Sequence, residues 1–176
     1  MSGPLLVVVG PPGSGKTTVG TAVAAALGVP FRDTDADVEA QTGTTIADLF
    51  VQQGEPHFRA LEERAIARAL AEHDGVLALG GGAVTSPVTR ELLVAHGAAG
   101  GTVVWLDVDV ASAAKRVGLS RDRPLLAVNP RAMLRTMLEA RAPLYAEVST
   151  VIVSTAARPV EDVVAEVLSA LGSVAS

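Results

Sequence analysis

Residues 10–17 read GPPGSGKT, directly after the apolar run LLVVV at 5–9 and directly before a run of small residues. That succession leaves few folds open. A short valine-rich run without polar alternation is the pattern of a strand buried on both faces, which belongs to parallel sheets covered by helices. The stretch 15–27 reads as a helix, and Gly28 stands where a C-cap glycine belongs. Gly13 and Gly15 let successive backbone N–H groups turn into one concavity at the positive end of that helix, a geometry that binds phosphate. The segment fits G-x-x-x-x-G-K-[ST] in full. Lys16 is placed to reach the β- and γ-phosphates of a nucleoside triphosphate, and the Thr17 hydroxyl to ligate Mg²⁺.

Further strands are expected at 29–32, 76–79, 102–106 and 151–153. Helices are expected over 45–53 with Thr44 as its cap, from Pro56 to about 73, from Ser86-Pro87 onward, over 110–117, from Asn129-Pro130 onward, and over 159–171. Residues 173–176 are expected to fray. Strands alternating with helices imply a parallel sheet with helices on both faces. The chain of 176 residues suits one such α/β domain. It holds five aromatic residues, so the core must be built from Val, Leu, Ile and Ala.

A net charge of −5 argues against sequence-independent nucleic-acid binding. Only Lys16 and Lys115 are lysines, against twelve arginines, so arginine is the expected reader of any planar anion. There is no cysteine, which excludes thiolate chemistry and disulfides. The N-terminus lacks the pattern of a signal peptide, and no apolar stretch approaches a bilayer span. A soluble cytoplasmic protein is expected, without membrane or nucleic-acid partners. No long exposed apolar stripe is visible, which favours a monomer.

A guanine-reading N-K-x-D is absent, which argues against a GTP switch. Two carboxylates at strand ends are candidates for the metal: Asp33 and Asp107. By pattern alone Asp107 is the better match, because it follows the longer and more apolar run, and it is equally well placed as a turn residue before an Asp109 N-cap. Asp33-Thr34-Asp35 can divide its labour, one carboxylate serving the metal and the other an acceptor hydroxyl, or Asp35 can cap the next helix. Arg59 has Glu62 and Glu63 three and four residues on, either as orienters or as a solvated ion-pair face. Gly80–Gly82 costs backbone entropy, so it either admits something close to the backbone or is a plain turn.

Read in order, GPPGSGKT (10–17), DTD (33–35), GEPHFRALE (54–62), GGG (80–82), RPLL (123–126) and RAPLY (141–145) resemble the shikimate kinase family over most of the chain. A gluconate or adenylate kinase shares the first segment but not this succession. The resemblance implies a three-layer αβα P-loop kinase with a five-stranded parallel sheet, a substrate-binding helical segment at about 34–62 and a mobile lid at about 117–128. It implies ATP- and Mg²⁺-dependent phosphorylation of the 3-hydroxyl of shikimate, on the route to chorismate and the aromatic amino acids. By the same resemblance Gly13, Ser14, Gly15, Lys16, Thr17 and Thr18 hold the ATP phosphates, with Arg116 and Pro159 flanking adenine. Asp35 meets the acceptor hydroxyl, while Arg59 and Arg141 hold the substrate carboxylate. Glu62 orients Arg59, and Gly80, Gly81 and Gly82 border the substrate. Arg123 closes from the lid onto the phosphates, and Asp33 acts on Mg²⁺ through water together with Thr17. Lys16, Asp35 and Arg123 form the catalytic set.

Overall fold

A computed structural model describes residues 3–117 and 130–174. In chain order its elements are β1 (Leu6–Val9), α1 (Lys16–Leu27), β2 (Phe31–Asp33), α2 (Thr34–Thr42), α3 (Ile46–Gln53), α4 (Glu55–Glu72), β3 (Val76–Ala78), α5 (Pro87–Ala98), β4 (Thr102–Asp107), α6 (Val110–Val117), α7 (Pro130–Val148), β5 (Val151–Ser154) and α8 (Val160–Val174), with a 3-10 turn at Ala83–Thr85. The five strands form one parallel sheet in the order β2-β3-β1-β4-β5.

The apolar run at the N-terminus lies at the centre of this sheet. Leu6 pairs with Val76 on one side and Thr102 on the other, and all four β1 residues are buried. Alternation of side chains divides them between two layers. Leu6 and Val8 pack against Val19 and Val23 of α1 and Val163 and Val167 of α8. Val7 and Val9 pack against Ile66 of α4, Leu93 of α5 and Tyr145 of α7. The result is the expected three-layer αβα arrangement.

A smaller core of Val38, Leu49, Phe58, Leu61 and Ala65 binds α2, α3 and the first half of α4 together. Helix α4 faces both cores, since its Ile66 and Ala69 reach the sheet. That double packing fixes the segment expected at 34–62 relative to the sheet. No helix among the described residues is long and apolar enough to cross a membrane.

Several boundaries differ from expectation. The second strand begins at Phe31, because the Val29 N–H still donates to Ala24 O in the exit from α1. Asp33, not Asp35, caps α2: its Oδ1 accepts the Asp35 N–H at 2.9 Å. Thr45, not Thr44, caps α3, accepting the Asp48 N–H at 3.1 Å. Helix α8 continues through Val174, so 173 and 174 are not frayed, and 175–176 lie outside the described residues. The lid expected at about 117–128 also lies outside them, apart from Val117, which ends α6.

Candidate active site

The phosphate loop leaves the C-terminal end of the central strand, where open parallel sheets place their ligand crevice. Gly15 caps α1 with φ 88°, a left-handed conformation that costs an L-residue about 1 kcal/mol or more. The turn aims the first N–H groups of a twelve-residue helix at the crevice. Ser14 is buried and its Oγ has no hydrogen-bond partner. Lys16 Nζ donates to Pro11 O at 3.0 Å, which lays the ammonium across the loop. Gly13, Ser14, Gly15, Lys16, Thr17 and Thr18 thus occupy one loop and the first turn of α1, as the motif requires.

Of the two carboxylates considered for the metal, Asp33 is the one that meets the loop. Its Oδ2 lies 3.5 Å from the Thr17 hydroxyl, while its Oδ1 is committed to capping α2. At Asp107 the main-chain carbonyl accepts from the N–H and hydroxyl of Thr155. Asp109 caps α6 through the Ser112 N–H at 2.8 Å. Among the described residues no cluster of three or more His, Cys, Asp or Glu can hold a metal. A hydroxyl and one carboxylate fit Mg²⁺, which takes few protein oxygens and fills its octahedron with water and phosphate.

Opposite the loop, α4 presents Arg59 and Glu62 one turn apart. Arg59 Nη1 donates to Glu62 Oε1 at 2.8 Å, and Glu55 Oε1 receives a second nitrogen at 3.2 Å. Glu62 is 2% exposed, so this is no solvated ion-pair face. Burial pushes the Glu62 carboxyl up, and the guanidiniums of Arg59 and Arg141 pull it back. Glu63 is excluded as the orienter of Arg59, because it accepts the Ser86 hydroxyl. Arg141, on α7, faces both Glu62 and Tyr145. Arg59 therefore pairs directly with this buried carboxylate, and Arg141 of a separate helix adds its positive charge nearby.

The glycines after β3 admit these side chains. A Cβ on Gly82 would run into the Arg59 guanidinium, and one on Gly80 would lie 2.6 Å from Asp35 Oδ1 and 2.7 Å from Glu62 Oε2. Those two carboxylate oxygens are buried and lack partners, a cost ordinarily removed by a donor. A hydroxyl group suits that place. Asp35 is pushed up to about 6 by burial first and then by the negative charges of Glu62 and Asp33, with Lys16 and Arg59 opposing.

Arg116 spans from α6 to the phosphate loop, donating to Gly13 O at 2.9 Å and to Thr155 O at 3.1 Å. Pro159 starts α8 four residues beyond Thr155, its carbonyl accepting from Asp162 and Val163 N–H groups. The two residues expected beside adenine therefore border one loop. Arg123, with Arg121 and the rest of the lid, lies outside the described residues. His57 is exposed on α4. Trp105 packs against the second core as expected, stacked on Tyr145 with centroids 5.6 Å apart.

Tyr145 itself was given no role by sequence reasoning. Its hydroxyl donates to Gly81 O, and it lies one helical turn from Arg141. The available signal was its position as the sole tyrosine at i+4 from a carboxylate-reading arginine.

The fold and the phosphate loop define a small P-loop phosphotransferase, with a buried arginine–carboxylate pair and unpartnered carboxylate oxygens beside it. A family profile described as Shikimate kinase matches residues 12–172. The shikimate kinase of Salinispora arenicola (strain CNS-205) is 55% identical over 170 residues, covering 97% of this chain and 99% of that one. The solved structure of shikimate kinase from Acinetobacter baumannii in complex with shikimate aligns with a TM-score of 0.90 at 37% identity, over 98% of this chain and 94% of that one. A gluconokinase from Sinorhizobium meliloti 1021 aligns with a TM-score of 0.58 at 28% identity, over 95% and 90%. The chain belongs to the shikimate kinase family.

Proposed function

We propose that this chain transfers the γ-phosphoryl group of ATP to the 3-hydroxyl of shikimate, releasing ADP and shikimate 3-phosphate on the route to the aromatic amino acids. The observation that carries this reading is the buried Arg59–Glu62 pair, with the charge of Arg141 nearby, beside the unpartnered oxygens of Asp35 and Glu62. Shikimate has one carboxylate and three hydroxyls, so it suits paired guanidiniums at one end and carboxylate acceptors at the other.

The residues then take the following parts. Arg59 and Arg141 bind the substrate carboxylate, and Glu62 keeps Arg59 turned toward it. Gly80, Gly81 and Gly82 border the ring. Asp35 accepts the 3-hydroxyl proton as that oxygen bonds to the γ-phosphorus, and the bond to the bridging oxygen of ADP breaks. A carboxyl near 6 is mostly ionised at neutral pH and still basic enough to take that proton. The loop N–H groups of Gly13 to Thr18 and the ammonium of Lys16 hold the donor phosphates. Thr17 and, through water, Asp33 would hold Mg²⁺, which would supply positive charge to the donor phosphates. Arg116 and Pro159 flank the adenine. Arg123 is the lid cation on the sequence match alone.

Such a chain is proposed to work as a cytoplasmic monomer. The acidic, cysteine-free composition supports this, and so do exposed apolar residues as scattered as Val51, Val88 and Ile152.

ADP release from ATP and Mg²⁺ with shikimate, with gluconate and with no acceptor tests the reaction. Turnover is expected with shikimate only, and Asp35→Asn is expected to lower kcat by about 10²-fold or more, the usual scale of general acid–base catalysis. Equal ADP release without acceptor would overturn the transferase reading. A preference for gluconate would overturn the choice of substrate.

A further inference from the structure

We infer that Tyr145 is a positioning residue for the acceptor, pinning the Gly81–Gly82 peptide and Arg141 in the geometry that receives the substrate. The inference rests on the acceptor site proposed above and adds a residue to it.

The phenol of Tyr145 is 1% exposed and lies between two parts of the site. Its hydroxyl donates to Gly81 O, and the Arg141 guanidinium, one helical turn away, lies near enough to favour the ionised phenol against burial. Burial raises the phenol pKa to about 12, so it stays a protonated donor at any working pH. Its ring is held in turn by Trp105 on β4, stacked at an interplanar angle of 27°. One hydroxyl therefore joins the glycine turn after β3 to α7 beside its Arg141, and the central sheet supports it from behind.

The Gly81 carbonyl belongs to the same peptide unit as the Gly82 N–H. There are no cis peptides among the described residues, so that N–H points opposite to the carbonyl. A peptide between two glycines turns over at little steric cost, because neither residue carries a Cβ. The hydrogen bond from Tyr145 fixes which way it faces. Gly82 also lies against the Arg59 guanidinium, so a turned peptide would disturb both carboxylate-reading arginines at once. The linkage meets the phosphate loop at Gly81, whose Cβ position lies against Pro12.

Tyr145→Phe removes the hydroxyl and keeps the ring, its burial and its stack on Trp105. Steady-state kinetics are measured for this variant and the wild type with each substrate varied in turn. The expected result is a KM for shikimate raised about tenfold, the upper scale of one lost buried hydrogen bond. The KM for ATP should stay unchanged and kcat within about threefold, the pattern of lost substrate binding. Trp105→Phe is the companion variant, since it alters the packing behind the ring and leaves the hydroxyl in place. It should leave the shikimate KM near the wild-type value. An unchanged shikimate KM in Tyr145→Phe would overturn the inference, as would equal rises for both substrates. So would a Trp105→Phe enzyme that reproduces the effect, because the hydroxyl would then have no special part. Failure of the wild type to turn over shikimate at all is a different result, and it would remove the proposed function instead.

Discussion

Asp35 shows how a single residue can serve function against stability. Its carboxyl stands near 6 against an ordinary value of 3.8, because it is buried beside Glu62 and Asp33. For an acid, a folded-state pKa above the unfolded one means that folding disfavours the ionised form. The penalty is absent below about pH 4 and grows as pH rises toward 6, after which it stays in full. Asp35→Asn should therefore stabilise the protein at pH 7 while it abolishes turnover. The expected gain is ~1–3 kcal/mol, from the conversion of a pKa difference into free energy. Urea unfolding at pH 7 and pH 4 checks it, since the gain should largely vanish at the lower pH. A variant less stable than wild type at pH 7 would show that Asp35 is structurally required.

At the scale of elements, the segment from α2 to α4 depends on how its helices begin. The motif residues at 33–35 and 54–62 are evident in the sequence, but which side chain caps α2 or α3 is not. Asp33 and Asp35 are chemically alike, as are Thr44 and Thr45, and only backbone conformation separates them. Asp33 is extended, with φ −123° and ψ 124°, and Thr45 likewise, so their side chains can reach the exposed N–H groups two or three residues on. Thr45→Ala should cost about 1 kcal/mol of stability, the usual worth of such a cap, and Thr44→Ala much less. Denaturant midpoints of the two variants decide this, and equal losses would contradict the assignment. The capping also divides the Asp33 carboxylate: one oxygen holds α2, leaving the other toward Thr17.

Across the whole molecule, the end of the sheet remote from the phosphate loop carries its own pH dependence. His96, near the end of α5, hydrogen-bonds to the backbone of Pro4, which has no N–H, so the imidazole donates. Its Nε2 is buried without a partner and faces Gly101, where any Cβ would collide with the ring. Burial lowers the His96 pKa below 6.5, with the Pro4 bond opposing. The unfolded chain therefore takes up this proton first as pH falls. Stability from this residue is complete above about 6.5 and is lost as pH drops from there through the folded value. Thermal unfolding at pH 7.5 and 5.5 should show a smaller loss for His96→Gln than for wild type. An identical loss in both would exclude His96 as the source.

The sequence by itself determined the sheet, the phosphate loop and the chemical cast of the site. A continuous apolar strand, a glycine loop with Lys16 and an ordered set of arginines and carboxylates are local patterns, and each reports on its own neighbourhood. Tertiary structure alone decided which of the alternatives is used. Asp33 rather than Asp107 meets Thr17, Glu62 rather than Glu63 holds Arg59, and Tyr145 reaches Gly81, 64 residues away. Asp33 and Thr17 are 16 residues apart and Tyr145 and Gly81 are 64, so no local spacing could have selected those pairs. Glu62 and Glu63 are neighbours on α4, and only the packing of that helix buries the first against Arg59 and turns the second to Ser86.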